Sequence, residues 1–224
     1  MGTIQPVGQR GSLKWTQRLV NGNPGLIDPA LRRAVGGSGQ VDWLSPLAAD
    51  DFREYRDQGM LDLLDVSLPV ESLADFWPGR GPQWDALARI GDKVVLVEAK
   101  AHVGELLSGA CRASSPRSRH MIEKALDRTT LAYRARPGLD WMQRFYQYAN
   151  RLAHLYLLRE VNGIDAHLVF LYFVNDREMK GPGNEGEWRI AIQVLHEAMG
   201  LRGRVPRGVH DLFVDVSELE GVTT

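Results

Sequence analysis

Hydrophobic and polar positions alternate most regularly between Val94 and His102, in VVLVEAKAH. A period of two predicts a strand: Val94, Leu96, Glu98, Lys100 and His102 share one face, and Val95, Val97, Ala99 and Ala101 the other. Both faces begin apolar, as in a central strand covered on both sides. WDALARI (84–90) reads as its hairpin partner, joined through Gly91-Asp92-Lys93. Two later apolar runs, AHLVFLYFV (166–174) and VHDLFVDV (209–216), read as further strands, and VDWLSPL (41–47) as a short one.

Helical spacing accounts for most of the rest. SLKWTQRLV starts at a capping Ser12. DPALRRAV has Asp28 as cap and Pro29 in the first turn. AADDFREYRDQGMLDLLD (48–65) reads as one helix with an acidic first turn, and PVESLADFW (69–77) as a short one. HMIEKALDRTTLAYRA, the long WMQRFYQYANRLAHLYLLREV (Trp141–Val161) and EWRIAIQVLHEAMG follow. GGSGQ (36–40), PGRGPQ (78–83), ASSPRSR (113–119), ARPGLD (135–140) and GPGNEG (181–186) read as breaks or loops. No internal repeat is visible. The order implies an α/β fold with helices on both sides of a central sheet. We expect one domain over 1–224, with a mainly helical extension to 77 and the α/β core from 78.

Composition is that of an ordinary globular chain: 224 residues, 44% hydrophobic, 25% charged, net charge −1. No apolar run reaches the length that spans a bilayer. The N-terminus lacks a signal-peptide core, and Pro6 breaks the myristoylation pattern. With a single cysteine, Cys111, no internal disulfide forms. A cytoplasmic protein without a membrane partner is the expectation. Charge is uneven. Residues 41–75 hold nine acidic and two basic side chains, and residues 109–136 seven basic and two acidic. Two readings stay open: the basic segment binds a polyanion, or the two segments are solvated faces that partly compensate.

The chemistry concentrates at the end of the Val94 strand. Glu98 and Lys100 are seldom buried unpaired. Acid-x-Lys recurs at Glu178–Lys180, but in a turn; only the first copy ends an apolar strand. A hairpin turning at Gly91-Asp92 pairs residues whose numbers sum to 183, which sets Asp85 opposite Glu98. Like charges so placed repel, and hard oxygen donors with a lysine nearby suit Mg2+ or Mn2+. In the Trp141–Val161 helix, Gln143, Gln147, Asn150 and His154 form a polar, almost uncharged stripe suited to a cleft wall. Tyr146, Tyr148 and Tyr156 read as core aromatics. Arg112, Arg117 and Arg119, in the loop after the strand, are candidates for holding phosphates, with a partnerless basic loop as the alternative. GPGNEG matches a dinucleotide fingerprint but follows its strand too late to serve as one. Neither a zinc-protease helix motif nor a nucleophile elbow is present.

Asp85 followed by Glu98-Ala99-Lys100 resembles the PD-(D/E)xK nuclease superfamily, over about Gly81 to Val174; Trp84 stands where that motif has proline, with Pro82 nearby. The resemblance implies a restriction-endonuclease-like core with a mixed sheet and helical N-terminal additions. It implies metal bound by Asp85, Glu98 and the Ala99 carbonyl, with Lys100 aligning or deprotonating water. A polar residue from the following helix would assist, here Gln147, and a glutamate from a preceding helix, here Glu54. The expected activity is metal-dependent phosphodiester hydrolysis, on DNA ahead of RNA. The alternatives are a non-catalytic nucleic-acid-binding module, or an interaction protein, homodimeric or docking a partner through 41–75. At the residue level, the competing reading is that Asp85 caps a turn and Glu98–Lys100 is a strand-end salt bridge.

Overall fold

The computed structural model describes residues 2–223. Five strands form one open sheet in the order β1-β2-β3-β4-β5: β1 Asp42–Ser45, β2 Ala86–Ile90, β3 Lys93–Lys100, β4 Ala166–Val174 and β5 Val209–Asp215. The first three run antiparallel to their neighbours, and β3, β4 and β5 run parallel, so the sheet is mixed. β3 sits at its centre and β4 is buried along its whole length. The hairpin has the anticipated register, Ala86 against Val97 and Ile90 against Lys93. Gly91 turns it with φ 60°, a left-handed value that glycine adopts without steric cost.

Alternation along β3 divides the core into two layers. Val95, Val97 and Ala99 face α1 (Gly11–Gly22) and α2 (Asp28–Val35), packing with Trp15, Leu19, Leu31 and Val35. Val94 and Leu96 face the opposite layer. That layer holds α3 (Asp57–Leu63), α4 (Leu73–Phe76), α5 (Pro116–Ala132), α6 (Tyr146–Tyr156) and α7 (Glu185–Ala198). The N-terminal helices therefore cover one whole face of the sheet, which would otherwise expose a broad apolar surface. No helix among the described residues is long and apolar enough to cross a membrane.

Three expected elements are corrected. The segment 48–65 is not one helix. A single 3-10 turn, Ala48–Asp50, ends at Asp51 and Phe52, both with φ 50°, and α3 begins only at Asp57. Asp50 accepts from the Tyr55 hydroxyl and the Arg53 guanidinium, local bonds that compete with a helix. The chain between runs extended, bridging Thr3 at Glu54 and Trp84 at Tyr55. Second, α6 starts at Tyr146, after Phe145 at φ 58°, and ends in a π-helical turn, Leu157–Val161. Gln143 therefore lies outside the helix. Third, α5 begins at Pro116 with Ser115 as N-cap, so Arg117 and Arg119 stand in a helix's first turn rather than a loop.

An ion pair links the acidic and basic segments: Arg128 on α5 holds Glu71 through two hydrogen bonds, 2.8 and 2.7 Å.

Because β3 carries packing on both faces, Leu96→Ala should cost about 2–5 kcal/mol. Leu131→Ala, at a side chain 81% exposed, should change stability by less than about 0.5 kcal/mol. Urea denaturation of both variants checks the contrast.

Candidate functional site

At the C-terminal end of β3 the apolar face gives way to charge. Glu98 and Lys100 project toward the layer that contains α6. Glu98 is 1% and Lys100 6% exposed. One Glu98 oxygen accepts from Lys100 Nζ, and the other from Arg151 Nε at 2.6 Å. Lys100 Nζ also donates to Gln147 Oε1 at 3.1 Å. Gln147 and Arg151 lie one turn apart on α6, so one helix face supplies both partners of the strand-end pair.

Asp85 stands just before β2, and its Oδ2 accepts from the Ala99 backbone N–H at 2.7 Å. Odd-numbered residues of β3 turn their backbone groups toward β2, whereas Val94 N–H donates across to Asp165 ahead of β4. A residue in an extended strand sends N–H and C=O to the same side. The Ala99 carbonyl therefore also leaves toward Asp85, past the last β2–β3 pair.

Glu54 arrives by the extended route that replaced the expected helix. It is 7% exposed, and its Oε2 accepts from Gln83 Nε2 at 2.7 Å and Gln5 Nε2 at 3.0 Å. Gln83 links two parts of the site, since its carbonyl accepts from Arg151 Nη2 at 2.8 Å. The Arg151 guanidinium is completed by Asn150 Oδ1 at 2.9 Å and lies 4.9 Å from the centre of the Trp84 ring.

The electrostatics separate the three carboxyls. Burial raises Asp85 well above the ordinary range and repulsion from Glu98 adds to it, with Lys100 offsetting part. Burial lifts Glu54 to about 7, opposed by the Gln83 hydrogen bond and reinforced by Glu98. Burial would raise Glu98 too, but Arg151 and Lys100 together bring it below its usual value. Asp85 and Glu54 are thus desolvated carboxyls with too little positive charge nearby, while Glu98 is held ionised.

Their fit to a hard divalent cation rests on these donors. Three carboxylates and a backbone carbonyl are oxygen ligands of the kind Mg2+ and Mn2+ take. Two of the carboxyls have the excess anionic character that a cation relieves. Among the described residues, however, no three His, Cys, Asp or Glu side chains form a closed ligand cluster, and both Glu98 oxygens are engaged by internal cations.

The other anticipated residues divide. Asn150 and His154 are buried inside α6's packing, with His154 Nδ1 bonded to the Asn150 carbonyl at 2.8 Å. Burial lowers His154 to about 4, so it is neutral near pH 7. Gln143 is exposed and away from the stripe. The three arginines do not act together. Arg112 lines a cleft beside Trp77 and Tyr146, Arg119 lines a separate depression with Glu123, Asp127 and Asp140, and Arg117 is an exposed residue of α5. Glu105 caps the end of β3, its Oε2 accepting from Ala101 N–H at 2.6 Å. Arg151 was not anticipated, although it follows Gln147 at the i+4 spacing of one helix face. Gln83 and Gln5 carried no sequence signal. Compared with known proteins, the chain matches no family model, no curated protein and no solved structure.

Two measurements follow from this geometry. Arg151→Ala strands the buried Glu98 carboxylate and should cost roughly 3–5 kcal/mol. Lys93→Ala, which breaks a partly exposed pair with Asp165, should cost no more than about 1 kcal/mol. Denaturation curves of the two variants test the difference. The second concerns pH. Glu54 rises from 4.5 to about 7 on folding, so between those values the folded chain binds more protons than the unfolded one. Its contribution is full below about 4.5 and is lost as pH rises through about 7, by at most roughly 3 kcal/mol. In EDTA, the stability of the parent relative to Glu54→Gln should fall across that window. Melting curves from pH 4.5 to 8 read the difference, which cancels the opposite trends of the buried histidines.

Proposed function

We propose that this protein is a metal-dependent phosphodiesterase acting on nucleic acid, DNA before RNA, built on a restriction-endonuclease-like core. The observation that carries this reading is the juxtaposition of Asp85 and Glu98 on adjoining strand ends with Lys100 held between Glu98 and Gln147. The mixed sheet supports it, with its antiparallel hairpin followed by two helices, α5 and α6, and a parallel strand.

In this reading Asp85, Glu98, Glu54 and the Ala99 carbonyl would hold Mg2+ or Mn2+, which supplies charge neutralisation and a more acidic water. Lys100 provides a positive charge fixed at the strand end. Its ammonium group orients the attacking water and meets negative charge developing on the phosphate. Gln147 keeps that ammonium in place through its amide oxygen. Arg151 acts through Glu98: it holds the carboxylate ionised and oriented, and it is itself clamped by Gln83 and Asn150. Gln147 and Arg151 are thus positioning residues.

A second reading is favoured by one observation, the engagement of both Glu98 oxygens by Lys100 and Arg151. The cluster would then be a structural ion-pair network in a module that binds nucleic acid or protein without turnover, including through the acidic segment 41–75.

The test is cleavage of plasmid, single-stranded DNA and RNA with Mg2+, Mn2+ or EDTA. Lys100→Ala and Asp85→Ala should each lower cleavage by about a hundredfold or more while the far-UV spectrum is unchanged. Calorimetric titration with Mn2+ should give heat with the parent and none with Asp85→Ala. Cutting by either variant at the parental rate sinks the assignment. Absence of both cutting and Mn2+ binding leaves the structural network.

A further inference from the structure

A cleft of about 390 Å3 opens at the first turn of α6, between the chain following α4 and the segment leading into α5. Tyr146 forms one wall, backed by the buried Trp77, their rings stacked at 6.5 Å and 24°. Arg80 and Arg112 stand at its rim, and Ser114 and Ser118 offer hydroxyls. No lining side chain carries negative charge, although the chain as a whole has 28 acidic residues. Among the described residues, neither rim guanidinium has an ion-pair partner. Unneutralised arginines beside aromatic rings are the elements that hold a nucleotide: guanidinium for phosphate, ring for base.

The cleft and the candidate site share the first turn of α6. Tyr146 lines it, and the next residue, Gln147, accepts from Lys100. Gln147 N–H donates to Ser108 Oγ at 2.8 Å, fixing this first turn of α6 to the segment that leads to Arg112. The Trp77 ring also packs edge-on against His154 at 4.9 Å, on the same helix as Arg151. Of the three α6 tyrosines expected in the core, Tyr148 is there, stacked on Phe170 at 4.2 Å. Tyr146 instead keeps part of its surface in the cleft.

We propose that this cleft seats one unpaired nucleotide of a single strand, adjacent to the phosphate presented to Lys100, and so gives the protein a preference for single-stranded over duplex nucleic acid. The inference rests on the phosphodiesterase reading for its substrate class. Size decides the strand state. A volume of this order holds a small-molecule-sized ligand. The bases of a duplex are stacked on one another and reach an aromatic wall only after being unstacked, at a cost a single strand avoids. Arg80 and Arg112 select the anion, and the Tyr146 ring, backed by Trp77, the unstacked base.

Fluorescence anisotropy in EDTA, with a labelled oligothymidylate and the same strand annealed to its complement, tests this without turnover. The single strand should bind more tightly than the duplex. Arg80→Ala/Arg112→Ala should weaken single-strand binding by about tenfold and lower the salt slope by about 0.7 per lost phosphate contact. Tyr146→Leu should weaken it at unchanged salt slope. Melting curves confirm that the variants are folded, and the two surface arginines carry the test should Tyr146→Leu unfold. Duplex binding as tight as single-strand binding overturns the proposal, as does parental affinity in the double arginine variant. Lys100-dependent cleavage with parental affinity in the arginine variants would reject the cleft and leave the phosphodiesterase reading. Cleft-dependent binding with no cleavage in any metal would do the reverse.

Discussion

A carboxylate withdrawn from water at the centre of a sheet persists only if its charge is answered within a few ångströms. Glu98 is in that position, and the two cations that answer it come from different parts of the chain: Lys100 two residues along β3 and Arg151 from α6. The pair fixes more than its own geometry. Arg151 can reach Glu98 only if α6 lies across the end of β3. Its remaining bonds, to Asn150 and the Gln83 carbonyl, then tie that helix to the approach to β2. The helix crossing, the start of the hairpin and the orientation of Glu98 are thus one problem with one solution.

The same constraint explains the path of residues 48–57. A continuous helix here would carry Glu54 on a solvated surface. The left-handed pair Asp51-Phe52 ends the helical turn, and the chain then runs extended between Thr3 and Trp84. Glu54 is delivered to Gln83 and Gln5 instead. Two consecutive non-glycine residues in this conformation are strained, and the burial of Phe52 together with the bonds to Asp50 holds them there.

Much of the sheet was legible because its determinants are local. Period-two alternation marked β3, the Gly91-Asp92 turn set the hairpin register, and the apolar run from Ala166 marked β4. From these alone Asp85 could be set against Glu98, and Asp85 accepts a bond from the N–H of the next residue, Ala99. What could not be read depends on distant partners. The start of α6 is decided by Phe145 and by the bond from Gln147 to Ser108, not by the helical spacing of 141–145. Arg112, Arg117 and Arg119 looked like one basic group because they are close in sequence. The helix beginning at Pro116 separates them in space. Arg151 was hidden by chemistry rather than distance, since a stripe defined by uncharged amides passes over a guanidinium on the same face.

Charge accounting gives the cluster its chemical direction. With Glu54, Asp85 and Glu98 all ionised against Lys100 and Arg151, the sum is −1. Burial makes that state unfavourable, which is why Asp85 and Glu54 are displaced upward while Glu98 is displaced downward. A proton on either displaced carboxyl neutralises the cluster and leaves it nothing to attract. A divalent cation would instead change the sum to +1, a sign complementary to a phosphodiester. In the metal-dependent reading, proton and cation would therefore compete for Asp85 and Glu54. Cation affinity would then rise with pH through the range in which Glu54 ionises, while Glu98 is kept ionised throughout by lysine and arginine.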